Sequence, residues 1–285
     1  MKPVHLFLLI LLASFWGGSF LFIRLAVPDF GVAPLAAARS SIAALTLMPL
    51  VLIGSRRAEF LRHWKVLAVV GLISTALPVL LLTISTRYTS AGYASILNAL
   101  TPLFSALLAW LWLKEGLSRS AVIGIILGFC GVLVMVLDRE TIASSLPLLP
   151  VLAGVGATFF YGLTANFSRR YLRGISSVTV AAGSQVFAGL FLLTLALPQW
   201  PAAPLPALSW VYAAILGIVC TGMAYMVFFH LIEQVGVART VVVTYLVPVF
   251  ALLWGSLILH ETITMQMLGG AALILTGIGL TTRPS

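Results

Sequence analysis

Ten runs of about twenty mainly apolar residues follow one another along the 285-residue chain, at roughly 4–26, 33–54, 66–86, 91–113, 120–137, 147–168, 176–197, 208–231, 238–259 and 264–282. A hydrocarbon core about 30 Å thick takes about 20 residues of helix to cross, so each run is long enough for one passage. The connections between them are short and leave no room for a soluble domain. A spanning helix satisfies its own backbone hydrogen bonds, whereas the strands of a barrel would read as shorter alternating segments. The expected fold is therefore an all-α integral membrane protein of ten transmembrane helices. Composition agrees: 61% of residues are hydrophobic and 8% charged, and mean hydropathy is +1.14, well outside the range of water-soluble domains. The first run reads as a span rather than a cleaved leader. It continues through Trp16 and Phe22 to Val27 without a small-residue cleavage site after a short core.

Charge placement predicts the orientation. With the N-terminus cytoplasmic, twelve of the sixteen Lys and Arg residues fall in inside segments, and only Arg24, Arg39, Arg87 and Arg139 remain for the other side. Both termini are then cytoplasmic, because orientation follows Lys and Arg rather than net charge. The net charge of +9 is accounted for by topology and anionic lipid, and the dispersed basic residues give no support to nucleic-acid binding. Cys130 and Cys220 both lie inside spans and read as small buried apolar residues, not as a disulfide or a metal site.

The chain repeats itself. Residues 100–131 laid on 246–277 without a gap match Leu100, Pro102, Phe104, Glu115, Gly124 and Gly131 with Leu246, Pro248, Phe250, Glu261, Gly270 and Gly277, among others. The same offset pairs Gly71 and Thr75 with Gly217 and Thr221, and an offset one shorter pairs Gly17 and Arg24 with Gly162 and Arg169. Each half holds five spans. Five is odd, so the second copy enters the membrane from the opposite face, as two inverted five-helix repeats over 1–140 and 141–285.

Pro102 and Pro248 predict that a helix is interrupted at the same depth in both halves, with Pro78 as a further kink. A proline removes one backbone donor and displaces a carbonyl, leaving groups that need partners; beside a wet cavity these become ligands. Matched interruptions in two related halves mark a transported substrate's site.

These residues resemble the drug/metabolite transporter superfamily, and within it the ten-helix carriers of EamA type. The stretches that carry the resemblance are Asn98 to Pro102 (Asn-Ala-Leu-Thr-Pro) running on to Leu113, Lys114 and Glu115, and Thr244 to Pro248 (Thr-Tyr-Leu-Val-Pro) running on to Leu259, His260 and Glu261. Within the family the chain looks closest to bacterial inner-membrane exporters of aromatic amino acids. The resemblance implies a central cavity lined by the first, third and fourth spans of each half, with the fifth spans packed outside.

Residue chemistry supplies candidates for that cavity. Ser95, Asn98 and Thr101 form a stripe on the fourth span, answered by Thr244 and Tyr245 on the ninth; Thr75 and Tyr225 mark similar stripes on the third and eighth. A Ser or Thr in a membrane helix often only bonds its own backbone, but the amide of Asn98 needs more partners than one carbonyl provides. Trp16 and Tyr161 lie well inside their spans, away from the interfacial belts that account for Trp64, Trp200 and Trp210. They would stack against a flat or apolar solute.

No acid lies at the centre of a span, so a buried proton relay is not visible, and Glu115 and Glu261 read as helix-end charges paired with Lys114 or a nearby helix terminus. A phosphorylated solute would require Lys or Arg in the cavity, and only Arg39 and Arg24 approach this, both close to span ends. The expected activity is therefore transport of a neutral or zwitterionic small molecule, foremost an aromatic or other neutral amino acid, by alternating access and as a uniport. A proton-coupled drug or metabolite antiporter and a non-transporting membrane subunit are the alternatives. His260 and Glu261 begin a zinc-protease pattern, but Thr264 stands where the second His is needed. Neither metal, cofactor nor enzymatic site is expected. The partners are the solute and the bilayer, with the chain a monomer or weak homodimer; the mild support for the membrane-subunit alternative is the four-residue spacing of Gly124 and Gly128, which suits close helix packing inside the molecule or between protomers.

Overall fold

A computed structural model describes residues 2–52, 55–136, 148–235, 240 and 243–281. The expected junction between the repeats at 140/141 lies outside them, as do Arg139, Arg239 and Arg283. Among the described residues the chain is helical, in thirteen α-helices: α1 (Pro3–Phe30), α2 (Val32–Leu52), α3 (Ser55–Val70), α4 (Leu77–Tyr88), α5 (Ala91–Asn98), α6 (Thr101–Leu113), α7 (Arg119–Val136), α8 (Leu148–Tyr171), α9 (Ser177–Ala196), α10 (Ala207–Gly217), α11 (Ala224–Val235), α12 (Val243–Leu259) and α13 (Met265–Thr281). They form ten passages. The third is α3 and α4 joined by a π-helical turn over Gly71–Ala76, the fourth is α5 and α6, and the eighth is α10 and α11 joined by a π-helical turn over Ile218–Met223. Seven passages are long and apolar enough to cross a bilayer, and Arg119–Met135, Val243–Leu259 and Met265–Thr281 are shorter apolar helices.

The third passage starts at Ser55 rather than near 66. Its first turns carry Arg56, Arg57, Arg62 and Lys65, so hydropathy registers only the apolar part of a longer helix. Local chemistry sets several ends. Gly31 adopts φ 79°, donates its N–H to the Val27 carbonyl at 2.9 Å and lets α2 begin one residue later. Ser90 caps α5 by accepting from the Tyr93 N–H at 3.0 Å. Ser176 caps α9, and its N–H and hydroxyl donate to the carboxylate of Glu59 across the bundle.

The two halves interlock rather than sit side by side. Helix α7 of the first repeat packs on α13 of the second, α2 on α9, α1 on α12, and α8 on α6. Repeat-matched glycines make the last two crossings close. A Cβ on Gly17 would stand 2.6 Å from Phe250 Cβ, and one on Gly162 would stand 2.8 Å from Phe104 Cβ. The α7–α13 seam is equally tight, with Gly124 against Gly277 and Gly131 against Gly270. The glycine face of α7 is thus used inside the molecule. Cys220 is buried as expected, but Cys130 is exposed, on the side of α7 that presents Ile123, Ile126 and Leu133 outward.

Only one of the two expected proline interruptions forms. The fourth passage is broken at Ala99 and Leu100, just before Pro102, but α12 runs unbroken from Val243 to Leu259 with Pro248 inside it. The matched interruptions are the π-turns of the third and eighth passages, which begin beside the repeat-related Gly71 and Gly217. Each glycine receives a second-passage helix at backbone distance: Gly71 faces the Ser184 carbonyl and Phe187 of α9, and Gly217 faces the Arg39 carbonyl and Ile42 of α2. A π-turn adds a residue to the turn and re-aims the side chains that follow.

Candidate functional site

A cavity of about 250 Å³ lies where the two repeats meet. That is far more than the roughly 10–15 Å³ that one water needs. Its walls come from α1 (Trp16, Ser19, Phe20), α2 (Arg39), the third passage (Ser74, Thr75, Val79, Leu82), the fourth (Ser95, Asn98, Ala99, Thr101), α8 (Tyr161), α9 (Gln185), the eighth (Cys220, Thr221, Tyr225) and α12 (Thr244, Val247). No lining residue comes from α7 or α13, the fifth spans of the two halves.

Of the expected site residues, Trp16, Thr75, Ser95, Asn98, Thr101, Tyr161, Tyr225 and Thr244 share this cavity. Tyr245 does not line it; it packs against the cluster built around Leu100, Leu103 and Met267. Pro78, Pro102 and Pro248 are not among the cavity's lining residues either. Pro78 follows the π-turn inside the continuous third passage, where it leaves an upstream carbonyl without its helical donor. Pro102 cannot donate to the Asn98 carbonyl, but the Thr101 hydroxyl does so at 2.9 Å. The broken turn therefore heals itself instead of presenting that carbonyl as a ligand.

Most lining hydroxyls are similarly occupied. Ser95 Oγ donates to the Gly92 carbonyl at 2.7 Å, and Ser74 and Thr75 Oγ atoms lie 3.3 Å apart. At the second π-turn Thr221 Oγ1 donates to the Leu216 carbonyl five residues back, at 2.8 Å. At the first, the Ile73 carbonyl accepts from Thr164 of the opposite repeat at 3.1 Å. The π-turns are thus stabilised by hydroxyls, one local and one from across the repeat boundary.

The amides are different. Asn98 Oδ1 and Gln185 Oε1 are buried with no hydrogen-bond partner among the described residues, and Gln185 as a whole is only 1% exposed. Buried polar atoms ordinarily find partners, so orphans on a cavity wall are places where a solute or water is expected to bind. Trp16 is steadied by Phe228, ring centroids 5.3 Å apart, and presents its remaining surface to the cavity.

Arg39 departs furthest from its expected place. Instead of lying near a span end, it is the eighth residue of α2, about 10 Å along the helix axis, and it lines the cavity. Its Nε donates to Thr221 Oγ1 at 3.0 Å. Its Nη1 is buried with no hydrogen-bond partner, and among the described residues no carboxylate lines the cavity. Gln185 and Arg39 also show that the second spans of both halves contribute walls, beyond the first, third and fourth. A signal for Arg39 is present in the chain: an ionisable residue inside a membrane span is by default functional, because its charge is costly there.

Arg24 is not a cavity residue. It binds the carbonyls of Thr86 and Arg87 at 3.4 and 2.5 Å and approaches Glu261 at 3.8 Å. Glu261 in turn accepts the Ala91 N–H with both oxygens, at 3.0 and 2.9 Å, and so holds the start of α5, a helix terminus of the kind expected for it. Glu115 pairs with Arg169 instead of Lys114.

The model of the EamA-like transporter family matches the chain twice, over residues 4–137 and 148–283. Among curated relatives, "Uncharacterized transporter YvbV" of Bacillus subtilis (strain 168) is 25% identical across 98% of this chain and 91% of its own length. An "Uncharacterized transporter" of Archaeoglobus fulgidus is 27% identical across 96% and 97%. A "Probable terminal-alkyne amino-acid exporter" of Streptantibioticus cattleyicolor is 27% identical across 96% and 92%. A solved crystal structure superposes with a TM-score of 0.67 over 99% of this chain and 98% of its own at 18% identity, which speaks to the fold alone.

Proposed function

The chain belongs to the EamA-like transporter family, and from that premise we propose that its central cavity carries an aromatic or other neutral amino acid across the bacterial inner membrane by alternating access, with no chemical change to the solute. The protein is a multi-pass membrane transporter; the solute and the mechanism are the added reading. The observation that carries it is the mixed lining of one cavity, in which the rings of Trp16, Phe20, Tyr161 and Tyr225 share the walls with the amides of Asn98 and Gln185. Rings supply apolar area and stacking surface for a side chain, and a few placed polar groups orient the rest of a small ligand. The name of the Streptantibioticus relative supports amino acids as the class and export as the direction.

The interlocked halves suit a movement in which one repeat rocks against the other about a site between them. The lining supports the uniport reading, since no described residue offers a carboxylate to exchange protons at the site. Cytoplasmic termini follow from the distribution of Lys and Arg. A monomer suffices, since the glycine seam of α7 is occupied by α13.

The test is flux of radiolabelled L-phenylalanine and L-tryptophan in proteoliposomes containing the purified protein. Saturable entry that levels at equal concentrations, shows counterflow and ignores an imposed pH gradient is the expected result. Trp16→Ala and Asn98→Ala each raise the half-saturation concentration at normal expression. Accumulation driven uphill by protons alone would replace uniport by antiport, and a lack of saturable flux for the neutral amino acids removes them as the substrate class.

A further inference from the structure

We infer that Arg39 is the anchor for a substrate carboxylate, so that the cavity selects solutes bearing one carboxylate beside an apolar body; this rests on the reading of the cavity as the transport site. The guanidinium has only part of its hydrogen-bonding capacity used. One contact, Nε to Thr221 Oγ1 at 3.0 Å, fixes the orientation of the planar group. Nη1 is buried and has no hydrogen-bond partner among the described residues. An arginine stays charged in a protein, and leaving a cation in a membrane interior without a counter-ion is costly. No described residue of the lining supplies that counter-ion. A carboxylate entering from solution supplies it, and the flat guanidinium fork matches carboxylate geometry.

The other orphans in the same cavity have the opposite polarity. Asn98 Oδ1 and Gln185 Oε1 are buried acceptors with no donor. A solute that brings a carboxylate for Arg39 and an ammonium for these oxygens satisfies all three, leaving the rings of Trp16, Phe20 and Tyr161 for its side chain. That pattern describes an α-amino acid zwitterion. It disfavours cationic amphipathic drugs, which would place positive charge beside Arg39.

Three probes separate the contributions: L-phenylalanine, L-phenylalaninamide, which lacks the carboxylate, and 3-phenylpropionate, which lacks the amine. Binding to the purified transporter is read by ligand-dependent thermal shift and by competition. The wild type is expected to prefer L-phenylalanine to the amide. Arg39→Gln weakens L-phenylalanine and 3-phenylpropionate by about 10- to 100-fold, the range of a lost charge-assisted hydrogen bond, and changes the amide by less than about twofold. Arg39→Lys restores part of the preference, since it keeps the charge and loses the fork. Thr221→Val, which removes the orienting hydroxyl but leaves the charge, weakens both carboxylates by less than Arg39→Gln does and leaves the amide unchanged, and provides a readout should Arg39→Gln not fold.

An Arg39→Gln variant that weakens all three probes equally, or none, overturns the inference, as does a wild type that binds neither carboxylate. Arg39-dependent binding of 3-phenylpropionate without any binding or flux of amino acids upholds the anchor and removes amino acids as the substrate. Flux of L-phenylalanine that is indifferent to Arg39→Gln does the reverse.

Discussion

Arg169 donates to both carboxylate oxygens of Glu115, at 2.6 and 3.2 Å, and so ties the end of α8 to the end of α6 across the repeat boundary. The repeat-related residues Arg24 and Glu261 meet at 3.8 Å, again across the boundary. Glu261 holds the beginning of the fourth passage at Ala91, and Glu115 follows its end at Leu113. The 23 residues between put the two pairs about 34 Å apart, at opposite ends of the bundle.

The two pairs are expected to differ in strength. Side chains of Arg169 and Glu115 are 58% and 46% exposed, whereas that of Glu261 is 16% exposed. An exposed pair contributes about 0–1 kcal/mol. Glu261 additionally accepts the Ala91 N–H, shared between its two oxygens, at a helix start, a capping contribution of about 1 kcal/mol with a favourable dipole. Glu261→Gln therefore lowers the unfolding temperature of the purified protein more than Glu115→Gln, and equal shifts would contradict this ranking.

Both glutamates are presented by the same strained turn. Lys114 and His260, repeat counterparts, are the non-glycine residues with positive φ among those described, at 58° and 54°, and the following N–H bonds back to the Ala109 and Gly255 carbonyls at 3.2 and 3.1 Å. Left-handed backbone costs an L-residue about 1–2 kcal/mol. Lys114→Gly and His260→Gly are expected to stabilise by up to about 1 kcal/mol net of the greater freedom of glycine when unfolded. Thermal melts in detergent decide the matter: a lower melting temperature for both variants refutes it.

Gly17 and Gly162 leave no space for a methyl group. An added Cβ would lie within 2.9 Å of backbone as well as side chain in each case, so the helices themselves must separate. Gly17→Ala and Gly162→Ala are expected to cost about 1–3 kcal/mol each, seen as reduced yield of monodisperse protein and a lower melting temperature. Gly116→Ala, with nothing within 4 Å, is the control and remains neutral.

The two prolines, matched in sequence, should behave differently on substitution. Pro102 follows a break in the fourth passage, so Pro102→Ala allows α5 and α6 to run together and reduces flux at normal membrane insertion. Pro248 lies within a continuous helix, where alanine adds one backbone donor and raises thermal stability with a smaller effect on flux. Equal losses of flux in the two variants would restore the symmetric role that sequence suggests.

Much of the cavity is legible in the amino-acid sequence. Trp16, Asn98 and Tyr161 stand out because rings and an amide in mid-span have no membrane-belt explanation, and they do share one cavity. Tyr245 falls elsewhere because side-chain period alone does not give the rotation of α12. Arg39 is the seventh residue of its apolar run and the eighth of α2, so its depth was legible; that it lines the cavity was not, because a run of apolar residues does not give the rotation of the helix. Gln185 carries the same signal as Asn98, an amide in mid-span, but stands without the polar stripe that drew attention to the fourth span.

Hydropathy and self-similarity are one-dimensional patterns, each imposed by a local demand: enough apolar helix to cross lipid, and the same five-helix unit built twice. The sequence alone therefore determined the helical membrane class, the ten passages and the two matched halves. Which faces meet depends on helix rotation and distance of approach, and these emerge only when all passages pack together. The π-turns beside Gly71 and Gly217 re-aim the faces that follow, and Gly17 and Gly162 let opposite repeats close to backbone contact. Tertiary packing, through those contacts, brought Arg39, Asn98 and Gln185 onto one cavity and joined each glutamate to an arginine of the other half.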